Sequence, residues 1–277
     1  MATSTTRISI STSREDQTRA AQILSGHLND LGYGHAYIGG FAWSLLGSSR
    51  PTEDIDVMIQ TEGDDAIPDL RQTLSELNEK FTTAGIKFYY VQEPGQPGLS
   101  GSELVKASKN NILIETLKAG RIGLPIVAEP IYLVQHESGV SIQILHPSVL
   151  ILTKLKRWFH SHSSTRPKTI LKVKSDQRDI DYMIYWLAQE GMRIRFDLYE
   201  GKSRQELLIF VETYKKKFEE NETLMATLRS ILEPEDWNEI CAEDSELEES
   251  VNLAQAVDDE QQARVALTVA DVDVPHT

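Results

Sequence analysis

A single cysteine, Cys241, occurs among the 277 residues. One thiol cannot build a disulfide framework or a cysteine-based zinc site, and such scarcity fits a reducing, cytosol-like compartment. Long apolar runs are missing too: none approaches the roughly 18 residues that a membrane-spanning helix needs. The opening stretch MATSTTRISISTS lacks the apolar core of a secretory signal. It has the Ser/Thr-rich, Arg-bearing composition of a mitochondrial presequence, but Glu15 and Asp16 follow at once. A cytoplasmic location with no membrane partner is the expectation. Positive charge is in deficit, with 28 Lys and Arg against 42 Asp and Glu and a net charge of -14. A protein that coats nucleic acid is ordinarily basic, so the balance argues against that class.

What is present is ordinary for a globular chain, 40% hydrophobic and 25% charged, and long enough for one large domain or two modest ones. The charge is unevenly placed. Residues 150–178 hold eight Lys and Arg against a single acid, Asp176, while residues 233–277 hold fourteen acids against Arg264. That asymmetry points to an anionic ligand near the first segment and a solvated tail in the second.

Periodicity organises the rest. SREDQTRAAQILSGHLNDLG predicts a helix, with Ser13 and Asp16 as a capping-box-like start, an apolar stripe of Ile23, Leu24, Leu28 and Leu31, and Gly32 as the stop. HAYIGG reads as a strand entering a Gly turn, FAWSLLG as a two-turn helix, and EDIDVMIQ as a strand. IPDLRQTLSELNEKFTTAG reads as one helix, with Leu70, Leu74, Leu77 and Phe81 on its apolar face. IKFYYVQ, NILIETL, PIYLVQ and VSIQIL read as strands, and EPGQPGLSGS as a loop. From Pro147 the pattern turns helical, through HPSVLILTKLKRW, SDQRDIDYMIYWLAQEG, SRQELLIFVETYKKKF with a Ser203–Glu206 capping box, and NETLMATLRSIL. FHSHSSTRPKT between the first two of these reads as a polar loop.

The chemistry concentrates at YIGGFAWSLLGSSRPTEDIDVMIQ. Residues two apart in a strand face the same way, so Asp54 and Asp56 converge, opposite Ile55, Val57 and Ile59. Like charges so close repel, and burial sharpens the repulsion. A divalent cation removes it; Mg²⁺ prefers oxygen ligands and is typically held by one or two carboxylates together with substrate phosphates. A third acid nearby would complete a two-metal clamp. Glu115 in NILIETL is the choice, and Gln143 in VSIQIL, a neutral and poor ligand, is the alternative. The Gly39-Gly40 turn can bring backbone N–H groups to a phosphate; a hydroxyl of Ser44, Ser48 or Ser49 after it could reach a phosphate oxygen, and their plainer reading is as turn residues. Several neighbouring features have plainer readings. Trp43, Tyr89 and Tyr90 read as core, the His160-x-His162 pair as a surface loop, and Lys156 and Arg157 as a solvated helix face. Asp176, Asp179 and Asp181 read as charge complementing a helix N-terminus.

Gly39-Gly40, thirteen intervening residues and then Asp54-Ile55-Asp56-Val57 resemble the signature of the DNA polymerase β-like nucleotidyltransferase superfamily. GSSRPTEDIDVMI is similar to its AbiEii-type toxin and antibiotic nucleotidyltransferase branches, in which Arg and Thr precede the acid pair, as Arg50 and Thr52 do here. The resemblance implies an α/β (α+β) mixed sheet with flanking helices, followed by a helical domain. While composition marks 1–12 as a flexible N-terminus and 241–277 as an acidic, disordered tail, the resemblance assigns the nucleotidyltransferase fold to 13–145 and the helical domain to 146–240. It implies Asp54, Asp56 and Glu115 as catalytic metal ligands, Mg²⁺ or Mn²⁺ as cofactor, and a nucleoside triphosphate such as ATP as substrate. That substrate would lie near Gly39, Gly40, Ser44, Arg50, Thr52 and Lys154. The implied reaction moves a nucleoside monophosphate to the hydroxyl of a small molecule or protein. The alternatives are an RNA acceptor for a toxin-like enzyme, or a catalytically degenerate member that only binds a nucleotide or a partner.

Overall fold

The structure, a computed structural model, describes residues 8–63, 66–93, 98–127, 130–135, 139 and 141–242. All but the first two residues of the expected acidic tail therefore lie outside the described residues. The chain divides into two compact units. The first comprises Met1–Lys154 with Asp197–Lys202, and the second Leu155–Phe196 with Ser203–Thr277. Among the described residues no helix is long and apolar enough to cross a membrane.

The first unit is built on one mixed sheet of seven strands. In chain order these are β1 (His35–Ile38), β2 (Asp54–Ile59), β3 (Phe81–Ala84), β4 (Lys87–Tyr90), β5 (Ile112–Lys118), β6 (Ile131–Gln135) and β7 (Ser141–Leu145). They lie in the order β3-β4-β5-β2-β1-β7-β6. β2 pairs in parallel with β5 and antiparallel with β1, so the acid-bearing strand is central and hydrogen-bonded on both edges. Its apolar residues Ile55, Val57, Met58 and Ile59 are fully buried, as a central strand requires.

Helix α1 (Arg14–Asp30) starts where the cap signal places it: the Ser13 hydroxyl accepts from the Asp16 backbone N–H. The Asp16 carboxylate does not close a capping box; it accepts from the Ser11 hydroxyl at 2.7 Å. Leu24 and Leu28 of the predicted stripe are fully buried, and Tyr37 on β1 donates its buried hydroxyl to the Ala21 carbonyl at 2.7 Å, tying α1 to the sheet. The N-terminal stretch expected to be flexible is held in part. Ile10 bridges to Asn111, and Ser11 N–H donates to the Asn111 carbonyl at 2.9 Å.

Two predicted segments differ. The helix predicted through residue 85 ends early, as α3 (Ala66–Leu77), and Phe81 opens the edge strand β3 instead. Asn78 stops it: its side-chain oxygen accepts from Lys80 N–H at 3.1 Å and its carbonyl from Phe81 N–H at 2.9 Å, a local turn that competes with the helix. Phe81 then stacks on Phe88 across the hairpin, ring centroids 5.6 Å apart. The Gly- and Pro-rich stretch read as a loop, of which residues 94–97 lie outside the described residues, gives way within its last two residues to a short helix, α4 (Gly101–Ala107), whose Leu104 and Val105 pack with Tyr89 and Val91. Tyr89, Tyr90 and Trp43 are core residues, as read.

In the second unit the described elements are helical. Helix α5 (Pro147–Ser161) crosses the division between the units; α6 (Pro167–Gln189), α7 (Arg204–Lys217), α8 (Glu222–Ser230) and α9 (Pro234–Glu239) follow. The Ser203–Glu206 capping box forms. α6 begins eight residues before the predicted SDQRD start, with Pro167 in its first turn, so Lys168, Lys172 and Lys174 are helical. This overturns the reading of Asp176 and Asp179 as first-turn acids: both are in the helix interior, 0% and 2% exposed. Asp176 is held by the Arg157 guanidinium, whose Nε donates at 2.8 Å. The solvated-face reading holds for Arg157, which is exposed although it binds the buried acid, and fails for Lys156, which is buried. Asp181 accepts from the Tyr214 hydroxyl, and burial lifts its carboxyl above the ordinary range, partly offset by that hydrogen bond. The His pair is a loop only at its second member. His160 lies within α5, and His162 stacks on Trp158 at a centroid distance of 4.8 Å just past the helix end.

Candidate metal and nucleotide site

Strand alternation puts the side chains of Asp54 and Asp56 on one face of β2. The parallel register opposes Asp56 to Glu115 on β5, so the third carboxylate joins the same face. One oxygen from each of Asp54, Asp56 and Glu115 lies within 4.8 Å of the others. Asp54 and Asp56 are half-buried and Glu115 is exposed. Of the two sequence candidates for the third position, Glu115 is the one the register delivers.

Gln143 lies on β7, separated from β2 by β1. Its amide donates to the His35 carbonyl at 2.8 Å and lies 3.0 Å from the His35 ring. His35 is fully buried, and desolvation pulls its pKa below the ordinary 6.5, against a smaller upward pull from the Tyr33 carbonyl. The fold therefore holds a neutral imidazole that the unfolded chain protonates more readily. Below the unfolded value the unfolded state binds more protons, so stability falls as pH drops through about 6.5. Replacing His35 by Gln is expected to flatten this part of the profile, read as the urea midpoint between pH 5 and 8. An unchanged slope would assign the dependence elsewhere.

The Gly pair serves the acids directly. Gly39 and Gly40 are not a turn before the helix but its first two residues, α2 (Gly39–Leu45). Gly39 has φ +64°, and a Cβ there would lie 1.8 Å from Oδ2 of Asp56. Gly40 makes room for the next layer: its Cβ would lie 2.6 Å from Thr52 Oγ1 and 2.9 Å from an Arg50 guanidinium nitrogen. Thr52 donates its hydroxyl to Asp54 Oδ1 at 3.0 Å.

The remaining predicted ligands are placed as follows. Ser44 is buried and donates to the Phe41 carbonyl of its own helix at 2.7 Å. That bond uses the one proton it could give a phosphate. Lys154 is 3% exposed, with its ammonium 6.0 Å from the Trp43 ring centroid. Two neighbours of the acids carry no sequence motif. Gln17 of α1 donates to the Thr52 carbonyl at 2.9 Å. Arg71 of α3 donates from Nε to Thr116 Oγ1 at 2.8 Å and from Nη1 to the Ile86 carbonyl at 3.0 Å. Its half-burial lowers the guanidinium pKa, and the Glu115 charge opposes that shift.

Three carboxylates on one face form an all-oxygen, hard donor set, which suits Mg²⁺ or Mn²⁺ rather than a soft metal. The Gly39 notch, which admits the Asp56 carboxylate and no side chain, fits the same purpose.

A mixed sheet that carries an acid-x-acid strand beside a parallel strand with a third acid belongs to the nucleotidyltransferase fold class. The chain is similar to the crystal structure of an antigenic nucleotidyltransferase-like protein from Paracoccidioides brasiliensis, with a TM-score of 0.54 and 18% identity over 79% of this chain and 94% of that one. Residues 37–262 match the family described as nucleotidyl transferase AbiEii toxin, type IV TA system, and the chain belongs to that family. No curated protein matches it.

Proposed function

We propose that this protein is a metal-dependent nucleotidyltransferase that moves a nucleoside monophosphate from a triphosphate to a hydroxyl of a small molecule or a protein. The observation that carries the reading is the convergence of Asp54, Asp56 and Glu115 within 4.8 Å on two adjacent parallel strands. These residues would hold a divalent cation, whose charge would stabilise the transferring phosphoryl group and the departing pyrophosphate. The acceptor oxygen bonds to the α-phosphorus, and the bond from that phosphorus to the α–β bridging oxygen breaks. The acceptor proton passes to Glu115, the exposed member of the three. Asp54, bonded by the Thr52 hydroxyl, and Asp56, seated in the space left at Gly39, act as ligands. Arg50, beside Gly40, and Lys154, beside Trp43, are the cations for the phosphates. Ser44 is the weakest of the proposed contacts, its proton being given to Phe41.

A second reading rests on a separate observation. The first half of α6 exposes Lys168, Lys172, Lys174 and Arg178, with Arg166 just before it. Such a basic stretch suits an RNA acceptor, although the net charge of -14 weighs against it.

Incubation with Mg²⁺ and each labelled nucleoside triphosphate tests both readings. Divalent-dependent pyrophosphate release or self-labelling is expected. Binding without turnover on any acceptor tried would favour a degenerate, binding-only member, and failure of every triphosphate to bind at millimolar Mg²⁺ would sink the enzyme reading. RNA labelling that falls steeply with salt would select the second acceptor.

A further inference from the structure

The metal ligand Asp54 is reached by a chain of contacts that begins outside the part of the protein matched to the family. Its carboxylate accepts from Thr52 Oγ1 at 3.0 Å. Thr52 lies in the irregular connection between α2 and β2 and is itself buried. It is held on two sides: its side chain occupies the notch left by Gly40, and its carbonyl accepts from Gln17 Nε2 at 2.9 Å. Gln17 is 1% exposed. A carboxamide so deep in a helix-to-sheet interface is unfavourable unless it is partnered, and the Thr52 carbonyl is the partner it finds. The same N-terminal segment reaches the second acid-bearing strand. Asn111, the residue before β5, donates its backbone N–H to the Ser9 carbonyl at 3.1 Å and its side-chain amide to the same oxygen at 3.0 Å. Residues 9–17 thus brace the entry of both strands that carry the acids, yet the family match begins at residue 37.

We infer that Gln17 is a positioning residue of the metal site, acting through Thr52 on Asp54, and that Thr52 serves that ligand rather than the nucleotide. The inference rests on the metal-site reading above. Removing the relay leaves the three carboxylates in place but frees Asp54 to rotate, and residues that orient metal ligands typically matter 10- to 100-fold in metal affinity.

The test is Mn²⁺ binding to the full chain, followed by electron paramagnetic resonance, with thermal melting of each variant alongside. Gln17→Met keeps the side-chain length and removes the donor; it is expected to weaken Mn²⁺ binding roughly ten-fold. Thr52→Val is expected to do the same and Thr52→Ser to restore binding. The double variant Gln17→Met/Thr52→Val should be no weaker than the worse single, because both break one chain. A purely structural Gln17 would lower the melting temperature and leave Mn²⁺ affinity alone, and that result, or losses that multiply in the double variant, would overturn the inference. Should Gln17→Met fail to fold, the Thr52→Val and Thr52→Ser pair still decides, since equal affinities would break the relay at its second step. A wild-type chain that binds no Mn²⁺ overturns the underlying metal-site reading, whereas a binding wild type with indifferent variants overturns this inference alone.

Discussion

Asp56→Asn is expected to lower metal-dependent nucleotidyl transfer by at least about 10³-fold while the chain stays folded and becomes no less stable. Asp56 is the middle carboxylate. It pairs with Ile38 on one side and lies in register with Glu115 on the other, so any cation held by the three acids must include it. A bound cation contributes several kcal/mol to transition-state charge stabilisation, and each 1.36 kcal/mol is about ten-fold in rate. The amide keeps the shape of the carboxylate and so keeps the fit against Gly39, but it removes one of three crowded negative charges. Relief of that repulsion offsets the lost contacts, which is why stability should hold or rise as activity falls. That opposite movement separates a functional acid from a structural one. The measurement is the initial rate of label transfer at saturating Mg²⁺, paired with a thermal melt. Transfer at the wild-type rate would remove Asp56 from the mechanism; lost transfer accompanied by a large drop in melting temperature would make it a structural residue.

Much of this site is legible in the amino-acid sequence, because the physics that shapes it is local. Alternation along a strand is enough to pair Asp54 with Asp56, and an acid inside the apolar run NILIETL is conspicuous. The choice between Glu115 and Gln143 was not local: it depended on which strand lies beside β2 and in what register, and strand order is a property of the whole sheet. Phe81 misled for a related reason. It sits four residues after Leu77, in step with a helical stripe, and only the turn made by Asn78 reveals that the step is accidental. Asp176 and Asp179 look like first-turn acids only if the helix starts at Ser175; with α6 begun at Pro167 they become buried acids, one of them met by Arg157 from α5. Gln17 carried no local signal of function at all, because its partner is a backbone carbonyl thirty-five positions away.

Gly39 was read as a place where backbone could approach a phosphate, and the structure supplies a second, more demanding reason for it. Gly39→Ala is expected to cost about 1–3 kcal/mol of stability and to reduce transfer as severely as Asp56→Asn. Two terms act. A non-glycine residue at φ +64° is disfavoured by about 1–2 kcal/mol. The added methyl would also sit 1.8 Å from Asp56 Oδ2 and 3.1 Å from Asp56 Cβ. The oxygen is the end of a rotatable side chain, so the clash is relieved by turning the carboxylate away rather than by unfolding the sheet, and the metal site is lost while the fold survives. The double variant Gly39→Ala/Asp56→Ala separates the two terms: without the carboxylate the 1.8 Å contact disappears, and the remaining destabilisation should shrink to the backbone strain and the 3.1 Å contact with Cβ. Chemical denaturation of the two singles and the double gives this coupling directly, and strictly additive losses would show that the methyl and the carboxylate never meet. Nucleotide binding in the absence of metal separates the older reading from this one. If Gly39 serves chiefly the phosphates, Gly39→Ala should weaken metal-free triphosphate binding; if it serves chiefly Asp56, that binding should persist while Mn²⁺ affinity falls.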